Sequence, residues 1–270
     1  MDDLANYNRE RWNELVEANV AFSRPFLDLT EQTARQVVDP AGVMGEVAGK
    51  QVLCLAAGGG QQSVAFALLG ARVTVFDLSD RQLERDRAAA AHYNLPVTMI
   101  QGDMRDLSRF ADDSFDLVWQ AFSINFIPDP QPVFAEVARV LRAGGLYRLE
   151  YYNPFTQLVD PEGWNGESYA LKHPYFGPRE LTDLFPHWTV EDESGASRQI
   201  KSPREFRHPL SLLLNGLIKQ GFVLLHVREA VEEKAGAEPG SWEHYTTIAP
   251  PYLTFWSSYH PDAFEGLQLP

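Results

Sequence analysis

Four short groups of glycine, acidic and polar residues each follow an apolar run in the first half of the chain. The first group is Ala56 with Gly58, Gly59 and Gly60, directly after the apolar residues 52–55. Glycine has no side chain, so a ligand can approach this part of the backbone closely and contact its amide groups. These residues therefore predict a ligand-binding loop.

An acidic residue closes the second apolar run. Asp77, followed by Leu78, lies about 20 residues after the glycines, and an acid at that spacing can accept hydrogen bonds from both hydroxyls of a ribose. Asp103 and Met104 follow the third run, where they would meet an adenine, and Gln120 follows the fourth. The four groups together predict a site for an adenine nucleoside.

The elements that must position these residues alternate between strands and helices. Strands are predicted at residues 52–56, 72–77, 97–100, 115–119 and 146–151, with helices between them that include 80–92 and 131–142. This alternation is typical of a parallel sheet with helices on both faces, and ligands bind outside the carboxyl ends of its strands. The four groups should therefore meet at one edge of the sheet.

The second half of the chain has a different pattern. Aromatic residues are more frequent after residue 150, and residues 153–205 carry many prolines and glycines without a clear period, which predicts an irregular cap. Residues 209–220 predict a helix, and residues 222–227 and 252–256 predict two final strands. Before the first strand, apolar spacing predicts a helix at 7–20.

With the stretch VLRAGG at residues 140–145, these groups resemble the class I S-adenosylmethionine-dependent methyltransferases over about residues 50–155. The resemblance implies an α/β fold with a seven-stranded, mostly parallel, doubly wound sheet in the order 3-2-1-4-5-7-6, whose strand 7 is antiparallel. It implies S-adenosylmethionine as the cofactor and S-adenosylhomocysteine as its product. The cofactor-binding residues implied are Ala56, Gly58, Gly59, Gly60, Asp77, Leu78, Asp103, Met104 and Gln120.

The glycine loop departs from the usual pattern of this family, acid-x-Gly-x-Gly-x-Gly. Cys54 stands in place of the acid and Ala56 in place of the first glycine, so only Gly58 and Gly60 match. Two alternatives stay open: a non-catalytic S-adenosylmethionine-binding protein and an NAD-dependent Rossmann oxidoreductase. In the second alternative Gln61 would replace the third glycine, which permits close packing of helix and strand.

We interpret the chain as one methyltransferase domain of four parts. An N-terminal helical lid covers residues 1–48, the cofactor-binding core 49–152, the substrate cap 153–205, and a C-terminal helix with a β-hairpin 206–270. The lid and the cap should enclose the acceptor.

The predicted acceptor is a small molecule. Methyltransferases that act on amino groups of nucleic-acid bases carry an Asn/Asp-Pro-Pro-aromatic motif after the fourth strand, where this chain has residues 120–123 (QAFS). A net charge of −14, from 23 Lys and Arg against 37 Asp and Glu, also opposes binding of nucleic acid or anionic lipid. The acceptor atom stays open between oxygen, nitrogen and carbon.

Two histidines, His208 and His244, are candidates for a general base, which is needed where the acceptor must lose a proton to attack. The candidate substrate-contacting residues are Tyr7, Trp12, Phe122, Trp164, Trp242 and Tyr245. The loop aromatics Trp164, Tyr169, Tyr175, Phe176, Trp242 and Tyr245 are expected to form an apolar wall above the sulfonium.

Composition sets further expectations. Cys54 is the only cysteine, so an intramolecular disulfide and a cysteine-rich metal site are excluded, and no metal is predicted. No secretory signal or membrane-spanning run is readable, which predicts a cytoplasmic protein without a membrane partner. A homodimer is left open.

Overall fold

The structure is a computed structural model that describes residues 1–177, 180–191, 195–231 and 236–266. The helices of this part of the chain are α1 (Asp3–Glu17), α2 (Glu31–Val38), α3 (Gln62–Leu68), α4 (Asp80–Tyr93), α5 (Gln131–Val140), α6 (Leu210–Lys219) and α7 (Trp242–Ile248). The strands are β1 (Gln51–Leu55), β2 (Arg72–Asp77), β3 (Val97–Gln101), β4 (Phe115–Gln120), β5 (Leu141–Tyr152), β6 (His187–Glu191), β7 (Ser197–Lys201), β8 (Phe222–Ala230) and β9 (Tyr252–Tyr259). The predicted cap and C-terminal part each include residues outside the described ranges.

Seven strands form one mixed sheet in the order β3-β2-β1-β4-β5-β9-β8. The first five of these pair in parallel, and β9 runs antiparallel to both of its neighbours, β5 and β8. With β8 and β9 counted as the sixth and seventh strands, the predicted order and the antiparallel strand are confirmed. The central strand β1 reads as a continuous apolar run because helices cover both of its faces.

Helices on the two faces of the sheet create two apolar cores. Phe134 of α5 and Leu213 of α6 belong to the first core, and Phe66 of α3 belongs to the second. Successive residues of a strand point to opposite faces, so Leu53 of β1 enters the first core and Val52 enters the second. This double cover leaves the carboxyl ends of the strands open for a site.

The boundary between α5 and β5 differs from the sequence prediction. The helix was expected to reach Arg142, but it ends at Val140, and β5 begins at Leu141. Leu141 pairs with Phe115, and the register then shifts before Leu117 pairs with Leu146. Pairing with β4 therefore draws these residues into the sheet and overrides the helical period that precedes them.

The cap contains a hairpin that the sequence did not predict. Strands β6 and β7 pair antiparallel, and Trp188 lies opposite Ile200. Of the five residues of β7 only Ile200 is buried, so the alternating apolar pattern that predicts a strand is missing. Ile200 packs against Leu15 of α1, which joins the hairpin to the N-terminal lid.

The N-terminal lid is anchored by α1, which lies across the cap and the loop after β4. Asn8 of α1 donates from Nδ2 to the carbonyl of Phe126 at 3.0 Å, and its Oδ1 accepts from the Arg204 amide at 2.7 Å. Because Asn8 is buried, these bonds are shielded from water and fix the helix over the strand ends. In the described part of the chain no helix is long and apolar enough to cross a membrane.

Candidate functional site

A large cavity opens at the carboxyl ends of the parallel strands, with a volume of about 1030 Å³. Gly58, Asp77 and Asp103, at or just after the ends of β1 to β3, line one half, which we call the nucleoside half after the predicted ligand. Phe122, just after β4, and Tyr152, at the end of β5, line the other, which we call the acceptor half after the predicted acceptor. Pockets for one drug-sized ligand usually measure about 300–1,000 Å³, so this cavity lies at the upper end of that range.

The glycine loop lies at the base of the nucleoside half. Ala56 lines the cavity with φ at +45°, a left-handed conformation that costs an L-residue with a Cβ about 1–2 kcal/mol. Gly59 and Gly60 also have positive φ, at +123° and +74°. A Cβ on Gly60 would lie 2.7 Å from the Arg85 carbonyl oxygen, so only glycine fits there. The loop is tightly packed and its conformation is determined by these contacts.

Asp86 of α4 holds this loop, and the sequence analysis missed it. Its Oδ2 accepts from the Gly59 amide at 2.8 Å, and its Oδ1 accepts from the Gly60 amide at 3.1 Å and from the Ser63 hydroxyl. Burial raises the pKa of Asp86 to about 7, although these hydrogen bonds favour its charged form. The signal was present: Asp86 lies on the apolar face of α4, three residues after Leu83.

Asp77 occupies the end of β2 and lines the cavity with Leu78, as the sequence analysis predicted for ligand-binding positions. Its Oδ2 accepts from the Gly58 amide at 2.9 Å and its Oδ1 from the Ser79 amide at 2.8 Å. Burial raises the pKa of this carboxyl, and the backbone hydrogen bonds oppose that rise. The carboxylate is thus held in one orientation and keeps oxygen lone pairs for hydroxyl donors.

Asp103 also lines the cavity, but its carboxylate is engaged by Arg105. The Arg105 Nε lies 3.0 Å from both oxygens of Asp103, and the far side of the guanidinium donates to both oxygens of Asp2 at 2.9 Å. Asp2 caps α1 by accepting from the Ala5 amide, and the Arg105 bonds lower its pKa to about 2. Arg105 therefore links the start of the lid helix to the turn after β3, a contact that spacing could not predict.

Met104 lines the cavity, whereas Gln120 does not, and the prediction that Gln120 edges the cleft needs correction. The Gln120 side chain is fully buried behind Met104. Its Nε2 donates to the Ser123 hydroxyl at 3.0 Å and to the Met104 sulfur at 3.4 Å, and its Oε1 accepts from the Tyr147 hydroxyl. Gln120 acts as support for Met104, because interior partners take all of its hydrogen-bonding groups.

The acceptor half has aromatic walls. Of the predicted substrate residues, Trp12, Phe122, Trp242 and Tyr245 line it. The Trp12 ring packs edge-on against Trp188 of the hairpin, with centroids 6.2 Å apart, and Phe122 packs edge-on against Tyr152 at 4.8 Å. Further aromatic lining comes from residues not singled out beforehand, namely Phe22, Phe126, Phe185 and Tyr252. The lid, the cap and the strand ends all contribute to this wall.

Two of the predicted substrate residues lie elsewhere. Tyr7 is on the side of α1 that faces the cap, where its hydroxyl donates to the Ser202 carbonyl at 3.2 Å. Trp164 packs edge-on against His244 with centroids 4.6 Å apart, outside the cavity lining.

The prediction that six loop aromatics form an apolar wall of the cavity is wrong for four of them. Tyr169 packs on Trp164, the Tyr175 hydroxyl accepts from the Leu210 amide, and Phe176 is 78% exposed. Only Trp242 and Tyr245 of the six line the cavity, because the others complete a separate aromatic cluster or face solvent.

Neither histidine predicted as a base lines the cavity. His208 is fully buried. Its backbone amide donates to the Tyr151 hydroxyl at 2.6 Å, and its Nε2 lies 3.2 Å from the Ile124 carbonyl. His244 is held at Nδ1 by the Gly240 amide at 3.2 Å and the Tyr169 hydroxyl at 3.1 Å. Both have structural positions. His173, His187 and the buried Glu205 line the cavity instead.

Comparisons with known proteins agree with this architecture. The model of a family described as a methyltransferase domain matches residues 53–149. The uncharacterized methyltransferase YbaJ of Bacillus subtilis (strain 168) is 31% identical over 249 residues, covering 87% of this chain and 93% of that protein. This chain belongs to the methyltransferase family.

Two further similarities extend the comparison of this methyltransferase. The 27-O-demethylrifamycin SV methyltransferase of Amycolatopsis mediterranei (strain S699) is 35% identical over 147 residues, which are 53% of each chain. The crystal structure of an S-adenosylmethionine-dependent methyltransferase from Mesorhizobium loti superposes with a TM-score of 0.64 at 23% identity, covering 86% of this chain and 100% of that one. At this identity, the similarity to the Mesorhizobium structure shows a shared fold.

The family and the seven-stranded sheet make the protein a class I methyltransferase, whose cofactor is S-adenosylmethionine. The nucleoside half fits this molecule, since it combines a side-chain-free Gly58 with the acid Asp77 at the neighbouring strand end. A Cβ on Gly58 would lie 2.7 Å from the Gln82 Cβ, so this surface stays open only with glycine. Cys54, which replaces the usual acid of the family, is fully buried and does not reach the cavity.

Proposed function

We propose that this methyltransferase transfers the methyl group of S-adenosylmethionine to a small-molecule acceptor bound in the acceptor half of the cavity. The observation that carries the proposal is the continuity of the cavity, which joins Gly58 and Asp77 to Phe122 and Tyr152 in one space. Two reactants bound in one continuous cavity can meet without leaving the protein.

The residues of the nucleoside half would hold the cofactor. Asp77 would accept hydrogen bonds from the ribose hydroxyls, Asp103 would meet the adenine amino group, and Met104 would pack on the ring. The cofactor supplies an activated methyl group on its sulfonium. The protein positions the acceptor against that group. The lid helix and the cap cover the cavity on the side away from the sheet and so limit the access of water to the reacting groups.

Three observations support a small acceptor. The walls of the acceptor half are largely aromatic, which suits a planar or apolar molecule. The net charge of −14 disfavours a polyanion. The name of the Amycolatopsis relative, similar over about half of its length, gives it a small-molecule substrate. The cytoplasmic location and the homodimer stay predictions.

Calorimetry and a transfer assay together test the proposal. Calorimetry with S-adenosylhomocysteine and with NAD should show binding of the first alone; preference for NAD would favour an oxidoreductase. The protein is then incubated with trideuteromethyl-labelled S-adenosylmethionine and a protein-free metabolite extract, and labelled products are sought by mass spectrometry. Binding without any labelled product from extracts of several sources would favour a non-catalytic cofactor-binding protein.

A further inference from the structure

Glu205 is an acidic residue in the acceptor half that the proposed function does not yet use. It lies between β7 and α6, where its carbonyl accepts from the Leu181 amide at 2.8 Å and its amide donates to the Thr182 hydroxyl at 3.2 Å. These backbone bonds anchor the segment, and the side chain lines the cavity with only 9% of the residue exposed. A carboxyl group in this position is withdrawn from bulk water but accessible to a ligand.

The two oxygens of Glu205 have different partners. Asn125, just after β4, and Gln157, just after β5, both donate from their side-chain amides to Oε1, each at 3.2 Å. Within the described ranges no hydrogen bond reaches Oε2. Oε1 is therefore fixed by the ends of the two strands that border the acceptor half, and Oε2 is left to accept from a ligand.

No neighbouring cation in the described part of the chain neutralises Glu205. Arg204 pairs with Glu180 at 2.7 Å, and Arg207 donates to the Pro174 carbonyl at 2.7 Å. Burial accordingly raises the pKa of Glu205 to about 7, while the bonds from Gln157 and Asn125 oppose the rise. Near neutral pH the group can exist with or without its proton, as a general base must.

Two further buried acceptors lie beside the Glu205 carboxylate. Asn125 and Gln157 spend their NH₂ groups on Oε1, and their own carbonyl oxygens are buried without a partner in the described structure. An unsatisfied buried acceptor is costly, and a cluster of them is complementary to a ligand that brings donors. The acidic protein as a whole also favours a neutral or cationic ligand over an anion.

On the basis of the proposed function, we propose that the methyl acceptor is a nitrogen or oxygen nucleophile whose N–H or O–H group donates to Oε2 of Glu205, which takes the proton as the methyl group is transferred. The acceptor atom forms its bond to the methyl carbon while the carbon–sulfur bond breaks and its electron pair stays on sulfur. The N–H or O–H bond breaks and the proton ends on Glu205, so atoms and charge balance. This assigns Glu205 as a catalytic residue and predicts methylation at nitrogen or oxygen rather than at carbon.

Other titratable groups surround Glu205 and are part of any pH dependence. They are Tyr151 and Tyr152 of β5, Arg204, Arg207 and His208 on its own segment, Glu180 across the isolated bridge to Phe206, and Lys172, His173, His187 and Asp160 in the cavity lining. Burial keeps the pKa of Tyr151 and of Tyr152 above the ordinary tyrosine value, so neither competes as a base near neutral pH.

The variant Glu205→Gln separates the catalytic role from a structural one. A carboxamide keeps an oxygen for the two amide donors at Oε1 and replaces only Oε2, so the fold and S-adenosylhomocysteine binding should be retained. Turnover should fall by about 10²–10⁴-fold, the usual range for loss of a general base, and Glu205→Asp should recover part of it. The matched control is Glu162→Gln, an exposed acid of the cap that does not line the cavity and should leave turnover unchanged.

The test uses trideuteromethyl-labelled S-adenosylmethionine with 4-nitrophenol, tyramine, catechol and a protein-free metabolite extract. Exchange in D₂O counts the labile protons of each acceptor and its product: N- or O-methylation removes one, and C-methylation removes none. Tyramine distinguishes an amine from a hydroxyl acceptor. The rate–pH profile of the wild type should have an acidic limb that is absent from the profile of Glu205→Gln. In the protein without any acceptor, the wild type should also show a ¹³C carboxyl resonance that titrates near neutrality and is missing from Glu205→Gln.

The outcomes are distinct. Products with one labile proton fewer, made slowly by Glu205→Gln and normally by Glu162→Gln, support the assignment. Products with an unchanged number of labile protons, or full turnover by Glu205→Gln, overturn this inference and leave the proposed methyl transfer intact. A wild-type protein that binds S-adenosylhomocysteine but labels nothing overturns the proposed function, and the inference with it.

Discussion

Replacing Asp86 by Asn should change how the stability of the protein depends on pH. Asp86 is fully buried and accepts from the amides of Gly59 and Gly60 and from the Ser63 hydroxyl. Desolvation raises its pKa from 3.8 to about 7. The folded protein therefore binds this proton more tightly than the unfolded chain does.

The size of the effect follows from linkage. A raised pKa in the folded state means that the stabilisation is fully present below the unfolded value of 3.8 and is lost as the pH rises to about 7. One pKa unit corresponds to 1.36 kcal/mol, so a shift of roughly 3 units amounts to about 4 kcal/mol at most. Asparagine does not ionise. The free energy of unfolding of wild type minus that of Asp86→Asn should thus fall by up to about 4 kcal/mol across this interval.

Urea unfolding, followed by tryptophan fluorescence at a series of pH values, measures that difference. Glu136→Gln is the control with the opposite sign. A hydrogen bond from Arg139 lowers the pKa of Glu136, so its stabilisation is present above the ordinary value of 4.5 and is lost only as the pH falls below it. Above 4.5 the Glu136→Gln difference should be flat. A wild-type minus Asp86→Asn difference that is also flat between 3.8 and 7 would refute the reasoning.

Three further predictions concern the nucleoside half and the lid. Asp77→Ala removes charge-assisted acceptors for the ribose and should weaken S-adenosylhomocysteine binding about 10–100-fold by calorimetry. Replacing the exposed Asp106 by Ala should leave the affinity unchanged, and an Asp77→Ala affinity equal to that of the wild type would refute the ribose role. Arg105→Ala breaks the link between Asp2 and Asp103, so the amides of α1 should exchange faster in hydrogen–deuterium exchange while those of α5 stay protected; unchanged protection of α1 would contradict the link. Ala56→Gly removes the Cβ from a residue with left-handed backbone and should raise the free energy of unfolding in urea by about 0.5–1 kcal/mol. Ala57 has no positive φ, so Ala57→Gly should lower that free energy. A change of the same sign in both variants would be inconsistent with strain at Ala56.

The sequence by itself was sufficient for the sheet and for placing Gly58, Asp77 and Asp103 together at one edge of it. Alternation of apolar strands and amphipathic helices restricts the chain to a doubly wound sheet, and parallel strands bring their carboxyl ends to one edge. A residue at such an end, like Gly58 or Asp77, therefore has its place in space determined by its place along the strand. Prediction succeeded where a residue's position depends on local periodicity and on the fold rules of parallel sheets.

Only the tertiary structure decided which side chains line the acceptor half. Glu205 and Gln157 lie far apart in sequence and meet because the cap folds back over β4 and β5. His208 and Trp164 come from segments equally suggestive in sequence, yet one is sealed in the interior and the other packs in a separate cluster. Side chains on loops point where contacts with distant segments place them, and those contacts carry no periodic signal that a single sequence could show.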